Sequence, residues 1–265
     1  MLMTIKVIYE DENILAIDKP AGVSVHQDGK IKDYTIADWV LENYPDLVNV
    51  GEDLEVDASE GGKVAIKKPG IVHRLDKETS GILLIAKNQE TFLFLKDQFQ
   101  NHTIEKKYLT FVYGHVSDPK ASLATGKRGV INVPIGRSPN DIRMWTAGRG
   151  AREPLRESIT EYIVLSRFSD VGEKTLNQDN KFSYLEVYPK TGRTHQIRVH
   201  MRYINHPVVS DPLYRGARNK ALGMDRLALH AASIKFKNIN GENIILESPL
   251  PPDFEKVLKT YTTIA

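Results

Sequence analysis

Two short runs near the start, IKVIYE and ILAIDKP, flank the turn-like DEN and end at Pro20. They predict a strand, a tight turn and a second strand, followed by the loop AGVSVHQDGK. The period then changes: Ile36, Trp39, Val40 and Tyr44 recur at helical spacing behind Thr35, and Pro45 stops the run, so a short helix is expected there. GEDLEVDASEGGKVAIKKPG is rich in glycine and charge and reads as an exposed excursion. Behind it comes the continuous apolar run ILLIA, a buried strand, then Asn88 as the N-cap of a helix through Phe92, Leu95 and Phe99. EKKYLTFVYG has the aromatic and β-branched content of a further strand.

The second half is richer in strands. From Pro119 to Gly150 the chain is Gly, Pro and Arg rich, which predicts short edge strands and long loops. SITEYIVLSRF and FSYLEVYPKTG read as strands joined by the polar connector VGEKTLNQDN. THQIRVHMRYIN places Ile197, Met201 and Ile204 on one helical stripe, with Thr194 as the expected cap, and ALHAASIKFK and NIILESP close the chain as strands. Many strands with few helices predict an α+β fold with a mixed, largely antiparallel central sheet and flanking helices. There is no internal repeat.

Composition narrows the classes. With 265 residues, 41% hydrophobic and 26% charged, the chain can bury a sizeable core in one large domain or two lobes. Its 36 basic and 34 acidic residues leave a net charge of +2, so any basic footprint for a polyanion has to be local. The absence of cysteine excludes disulfides, thiolate catalysis, iron–sulfur clusters and cysteine-type zinc sites. The opening MLMTIKVIYEDEN has no long apolar run, so neither a signal peptide nor a membrane span is expected and a cytoplasmic location is.

The chemistry-bearing residues are few. There is no phosphate loop ending in Gly-Lys-Ser/Thr, no Gly-x-Gly-x-x-Gly after a strand and no Gly-x-Ser-x-Gly elbow, which weighs against nucleotide cofactors and α/β-hydrolase chemistry. His73, His195, His200, His206 and His230 lack the His-Glu-x-x-His spacing of a helical metal site, and structural histidines with no metal are expected. What remains is Asp76, between Arg74 and Lys77 in HRLDKETSG, just ahead of ILLIA. A lone Asp at a strand entrance is ordinarily a turn carboxylate. Far downstream, KTGRTHQIRVHMR supplies Arg193, Arg198 and Arg202 at a loop-to-helix junction, a suitable place for phosphate or for a carboxylate from another element. Arg198 and Arg202 share a helical face at i, i+4, bordering the core while remaining reachable.

Together, NILAIDKPAGVSVH, HRLDKETSG and TGRTHQIRVH, in that order, resemble the RluA-type pseudouridine synthases, which isomerise uridine within RNA. The similarity runs from about Asn13 to SPLPPDF. It implies a pseudouridine synthase fold in one catalytic domain over residues 1–265, built as two lobes sharing one sheet. It also implies that Asp76 is the essential aspartate, that Tyr108 stacks on the target base, that Arg198 pairs with the aspartate and that Arg74 helps extrude the nucleotide. Lys19 to Gly22 is the scaffold block near the cleft. His73, Leu75, Thr79 and Leu229 are expected around the substrate pocket, and Lys77, Lys107, Arg193 and Arg202, with Lys19 and Lys106, around the RNA. No S4 module is expected ahead of the block, and the segment before the aspartate motif is longer than the resemblance leads one to expect. The expected partner is ribosomal or transfer RNA, with no cofactor, metal or membrane, and the expected state is a monomer.

The reaction breaks the bond from N1 to C1′, turns the uracil and joins C5 to C1′, with no net redox change. An ionised Asp76 has three routes open: attack on C1′, attack on C6, or help in removing the C2′ proton to give a glycal. An adjacent guanidinium favours the charged form of such a carboxylate. A catalytically silent RNA-binding protein would be expected to lack Asp76, Tyr108 or Arg198, and all three are present; a glycosidase-like hydrolase needs a second acid, and Glu78 has no distinguishing context.

Overall fold

The computed structural model describes residues 4–27, 33–57, 63–117, 128–170 and 180–261. The chain forms two compact units: residues 1–104 with 231–249, and 105–230 with 250–265. Six of the strand pairs of the large sheet are antiparallel, and the α+β class with a large mixed sheet is the one expected.

In the first unit the predicted hairpin forms from β1 (Lys6–Glu10) and β2 (Ile14–Lys19). Asp11 makes the turn: its Oδ1 accepts from the backbone N–H groups of Asn13 (2.8 Å) and Ile14 (2.6 Å). β2 pairs with β5 (Ser80–Ala86), buried along its whole length as its continuous apolar run requires, and β13 (Leu229–Lys237) follows it, carrying β14 (Asn243–Glu247). Helix α1 (Ile36–Asn43) starts at Thr35 with a capping box to Asp38, and α2 (Gln89–Gln100) starts at Asn88, whose side chain accepts from Thr91 N–H. α2 packs on β5 through Phe92 and Leu95. The excursion is more ordered than predicted. It holds a hairpin of β3 (Leu54–Asp57) and β4 (Lys63–Ile66), since LEVD alternates apolar and polar residues and KVAI is a short apolar run inside the charged stretch. Residues 58–62 lie outside the description, as do 119–127 and all of VGEKTLNQDN except Asn180.

In the second unit the strand order is β6 (Glu105–Tyr113), β12 (Lys181–Pro189), β11 (Ile159–Ser169) and β7 (Gly129–Asn132). Phe111 is the hub of its core, with its ring 4.8 Å from Tyr184 and 5.0 Å from Phe254, both buried. Helix α3 (Gln196–Tyr203) buries Ile197 and Met201 of the predicted stripe, and Val199 besides, while Ile204, the third stripe residue, is half-buried at its C-cap. Beside it a small second sheet forms from β8 (Ile135–Arg137), β9 (Trp145–Ala147) and β10 (Arg152–Arg156). A terminal helix, α4 (Pro252–Tyr261), was not predicted. It is short, opens on Pro252, and is held by Phe254 and Val257, too few apolar positions to show a period.

Candidate active site

The aspartate motif is pinned at both ends by glycines with positive φ. Gly70 (φ +62°) receives Ala86 N–H at 2.8 Å, and a Cβ there would lie 2.1 Å from the Ala86 carbonyl oxygen. Gly81 (φ +113°) lets the β13 backbone approach so closely that a Cβ would lie 2.2 Å from the Ala231 oxygen. Between them, His73 Nε2 accepts from Leu84 N–H at 2.9 Å and its ring stacks on Phe99 at 4.6 Å, so His73 holds the motif against β5.

Asp76 sits at the crest of this loop. Its carbonyl accepts from Thr79 N–H (3.1 Å), Leu75 and Thr79 on either side are buried, and the Asp76 side chain is half-buried. Arg74 and Lys77 are exposed; Lys77 Nζ lies 3.0 Å from Asp33 in an open ion pair. The backbone of Lys77 is fastened more firmly than its side chain. Its carbonyl accepts from Gly22 N–H (2.8 Å) and from the ammonium of Lys19 (3.0 Å). Lys19, expected around the RNA, is instead fully buried at the end of β2, where its Nζ also donates to the carbonyls of Val23 (2.8 Å) and Pro20 (2.9 Å). One buried cation thus joins the KPAG loop to the aspartate loop, and three carbonyl oxygens compensate for its lost hydration.

The remaining predicted residues belong to the second unit. Tyr108 lies on β6 opposite Val187 of β12, half-buried and packed on the core. Strand alternation puts Lys106 on the same face, and burial pushes its ammonium down to about 8; Lys107, on the other face, is half-buried. Leu229 is buried at the start of β13, within the core cluster.

Arg198 differs from expectation in its exposure. It is buried on α3, and its Nε and Nη2 donate to both oxygens of Asp211 at 2.7 and 2.8 Å. Asp211 Oδ1 also accepts from the N–H groups of Leu213 (2.8 Å) and Tyr214 (3.0 Å), an Asx turn that fixes the carboxylate and through it the guanidinium plane. Arg202, one turn on, is exposed. Arg193 is half-buried, donating from Nε to the Glu157 carbonyl (3.0 Å). Thr194 does not cap α3: the cap is His195 in the left-handed region (φ +56°), with its Nδ1 2.9 Å from Tyr214 Oη, and Gln196 Oε1 receives Arg193 N–H (3.0 Å) and Thr191 Oγ1 (2.7 Å). His200 and His206 are likewise engaged by Thr160 and Val133 and by Tyr113.

Sequence reasoning missed Asp211 and the bracing role of Lys19. Asp211-Pro212 is a turn signal. It says that the carboxylate binds nearby N–H groups, not that an arginine thirteen residues earlier shares it.

Residues 13–203 match the RNA pseudouridylate synthase family, and the chain belongs to that family. It is 33% identical to the RNA pseudouridine synthase YlyB of Bacillus subtilis (strain 168), with 97% of this chain and 73% of that protein aligned. It is 32% identical to the ribosomal large subunit pseudouridine synthase D of Xanthomonas campestris pv. campestris, over 96% of this chain and 68% of that protein. Among solved structures, human RNA pseudouridylate synthase domain containing 1 shares the fold, with a TM-score of 0.68 and 23% identity over 94% of this chain and 84% of that one.

Proposed function

We propose that this enzyme converts uridine to pseudouridine in ribosomal RNA through the carboxylate of Asp76, with both units acting as one catalytic domain. The observation that carries the reading is the bracing of the aspartate loop. A turn carboxylate with no further role does not call for a buried ammonium, two positive-φ glycines and a histidine to hold its backbone. Ribosomal RNA is favoured over transfer RNA by the relatives described as ribosomal large subunit pseudouridine synthases.

In this reading Arg74, exposed at the crest of the motif, fills the space left when the nucleotide leaves its stack, at a cost of a few kcal/mol to the RNA. Tyr108 stacks on the extruded uracil. Arg198, its plane fixed by Asp211, is the cation assigned to keep the Asp76 carboxylate ionised, since an adjacent guanidinium favours the charged form. Asp76 then acts at C1′, at C6 or on the C2′ proton. In each case the N1–C1′ bond breaks, C5–C1′ forms, N1 gains a proton and C5 loses one, so atoms and electrons balance without a second substrate.

The test uses RNA carrying tritium at C5 of uridine, whose release reports turnover. Asp76→Asn is expected to bind the RNA as the wild type does and to release no tritium. Normal turnover by that variant refutes the assignment. Pseudouridine mapping in total RNA from a deletion strain and its parent identifies the substrate, and a missing site in transfer RNA alone would overturn the ribosomal assignment.

A further inference from the structure

The small sheet of the second unit has a charge composition that neither the fold nor the isomerisation explains. Residues 135–156 contain five arginines and no lysine against two acids, a net charge of +3 when the whole chain carries only +2. All five arginines are exposed, so this short segment carries a local positive charge that the overall balance conceals.

Their arrangement carries the inference. In the register of the sheet, Arg137 of β8 stands directly opposite Arg152 of β10 on one side and Trp145 of β9 on the other. Directly opposed residues share a face, and like charges in that position destabilise a strand pair. The sheet brings them together all the same, and tightly: at Gly136 the β10 backbone comes so near that a Cβ would lie 2.3 Å from the Arg152 carbonyl oxygen. Neither guanidinium is neutralised by a carboxylate among the described residues. Instead Arg137 Nη1 donates to the Ile142 carbonyl and Arg152 Nη2 to that of Pro139, both at 3.0 Å, so two carbonyls of one turn hold the two side chains in place. Arg137 further lies over the Trp145 ring at 4.4 Å. Each guanidinium has five N–H donors, and these contacts leave several for an external anion.

The sheet is also firmly mounted. Ile135 and Ala147 pack with Val199 of α3 and with Tyr214, and Tyr214 Oη accepts from Trp145 N–H at 2.9 Å. The arginine rung is therefore fixed to the helix that carries Arg198.

We propose that the β8–β9–β10 sheet is a second RNA contact, in which Arg137 and Arg152 bind backbone phosphates of the substrate outside the nucleotide being isomerised. The inference rests on the reading of the chain as an enzyme acting on RNA, and it assigns this sheet affinity and register, with no part in the chemistry. Two arginines held by carbonyls beside each other fit phosphodiesters, whose charges recur along a strand, and the cost of their mutual repulsion is recovered when the anion binds.

Binding of a fluorescently labelled large-subunit RNA stem-loop is measured by anisotropy across a salt series, with the full chain. Each phosphate contact contributes about one unit of slope in log K against log salt. The double variant Arg137→Gln/Arg152→Gln is expected to lose about two units of slope and on the order of 10- to 100-fold in affinity at 0.1 M salt. Its melting temperature should be equal to or above that of the wild type, since a like-charge pair is removed. A wild-type slope and affinity overturns the proposal. So does equal displacement of the RNA by polyglutamate of matched charge, which would point to an acidic protein. If the double variant does not fold, Arg152→Gln alone decides on the same slope, with a loss of about one unit expected and an unchanged slope overturning the proposal. The two readings separate cleanly. Loss of slope in the variants with no tritium release by the wild type sinks the function and keeps the contact, and normal turnover with an unchanged slope does the reverse.

Discussion

Replacing Lys19 by Met keeps the length of the side chain and removes the cation that joins two loops, so it isolates the brace behind the proposed catalytic carboxylate. Three carbonyls, those of Pro20, Val23 and Lys77, lose a charged donor. Hydrogen bonds to a charged group contribute about 1.5 to 3 kcal/mol each. Met in turn avoids dehydrating an ammonium, which offsets several kcal/mol of that sum. The balance is a loss of about 3 kcal/mol, the range found when one partner of a buried charged contact is deleted. With a urea slope of about 2 kcal/mol per molar, that corresponds to a midpoint lower by about 1.5 M. The chain has two tryptophans, Trp39 buried on α1 and Trp145 on β9, so in a Trp145→Phe background fluorescence reports the first unit alone. Tritium release at saturating RNA measures the second consequence: a loosened Lys77 carbonyl frees the neighbouring Asp76, and turnover should fall at least tenfold while RNA affinity holds. An unshifted midpoint refutes the energetic argument. A shifted midpoint with full turnover refutes the claim that this brace positions Asp76.

Two further tests address the second unit. Burial holds the Lys106 ammonium at about 8 against an ordinary 10.5, so between those values the unfolded chain binds more protons and stability rises with pH, while below 8 the whole penalty is present. Lys106→Met should therefore be more stable at pH 7 by at most about 3 kcal/mol, an advantage fading toward pH 10.5; thermal melts across that range check it, and a constant difference refutes it. Asp211→Asn leaves Arg198 buried without its charge partner and should cost about 3 to 5 kcal/mol. Replacing the pair with Arg198→Met/Asp211→Leu should restore most of that stability but no turnover, and recovered tritium release would show that Arg198 is structural only.

The elements that sequence made legible are those with a strong period or a cap. The β1–β2 hairpin, the all-apolar β5 and the helices capped by Thr35 and Asn88 formed where they were read, because alternation, length and a capping side chain are local properties. The misses have local causes too. α4 shows only two buried apolar residues behind a proline-rich start, and β3 and β4 are diluted by the charge and glycine around them. Thr194 failed as a cap because His195, one residue on, takes the cap position in a left-handed conformation. The small sheet was read only as short edge strands in a glycine- and arginine-rich stretch, since strands of three to five residues without alternation show no period.

The candidate site shows a different limit. Residue identities at Asp76, Tyr108 and Arg198 were readable from motifs, but the means of holding them was not, since it runs through contacts distant in sequence. Lys19 reaches a carbonyl 58 residues away, and Arg198 shares a carboxylate 13 residues on. Each is a buried cation, and such a group is tolerated only where acceptors surround it. The acceptors differ, however. Lys19 is surrounded by carbonyls, which give a cation somewhere to sit without cancelling its charge, whereas Arg198 meets a full carboxylate in bidentate geometry. A compact ammonium with three donors suits converging loop carbonyls, and a planar fork suits a carboxylate, so exchanging the two residue types would leave each set of acceptors badly filled. Arg198→Lys should accordingly fail as a conservative change: it keeps the charge and loses the second hydrogen bond to Asp211, and with that the fixed orientation on which any partner of the guanidinium depends.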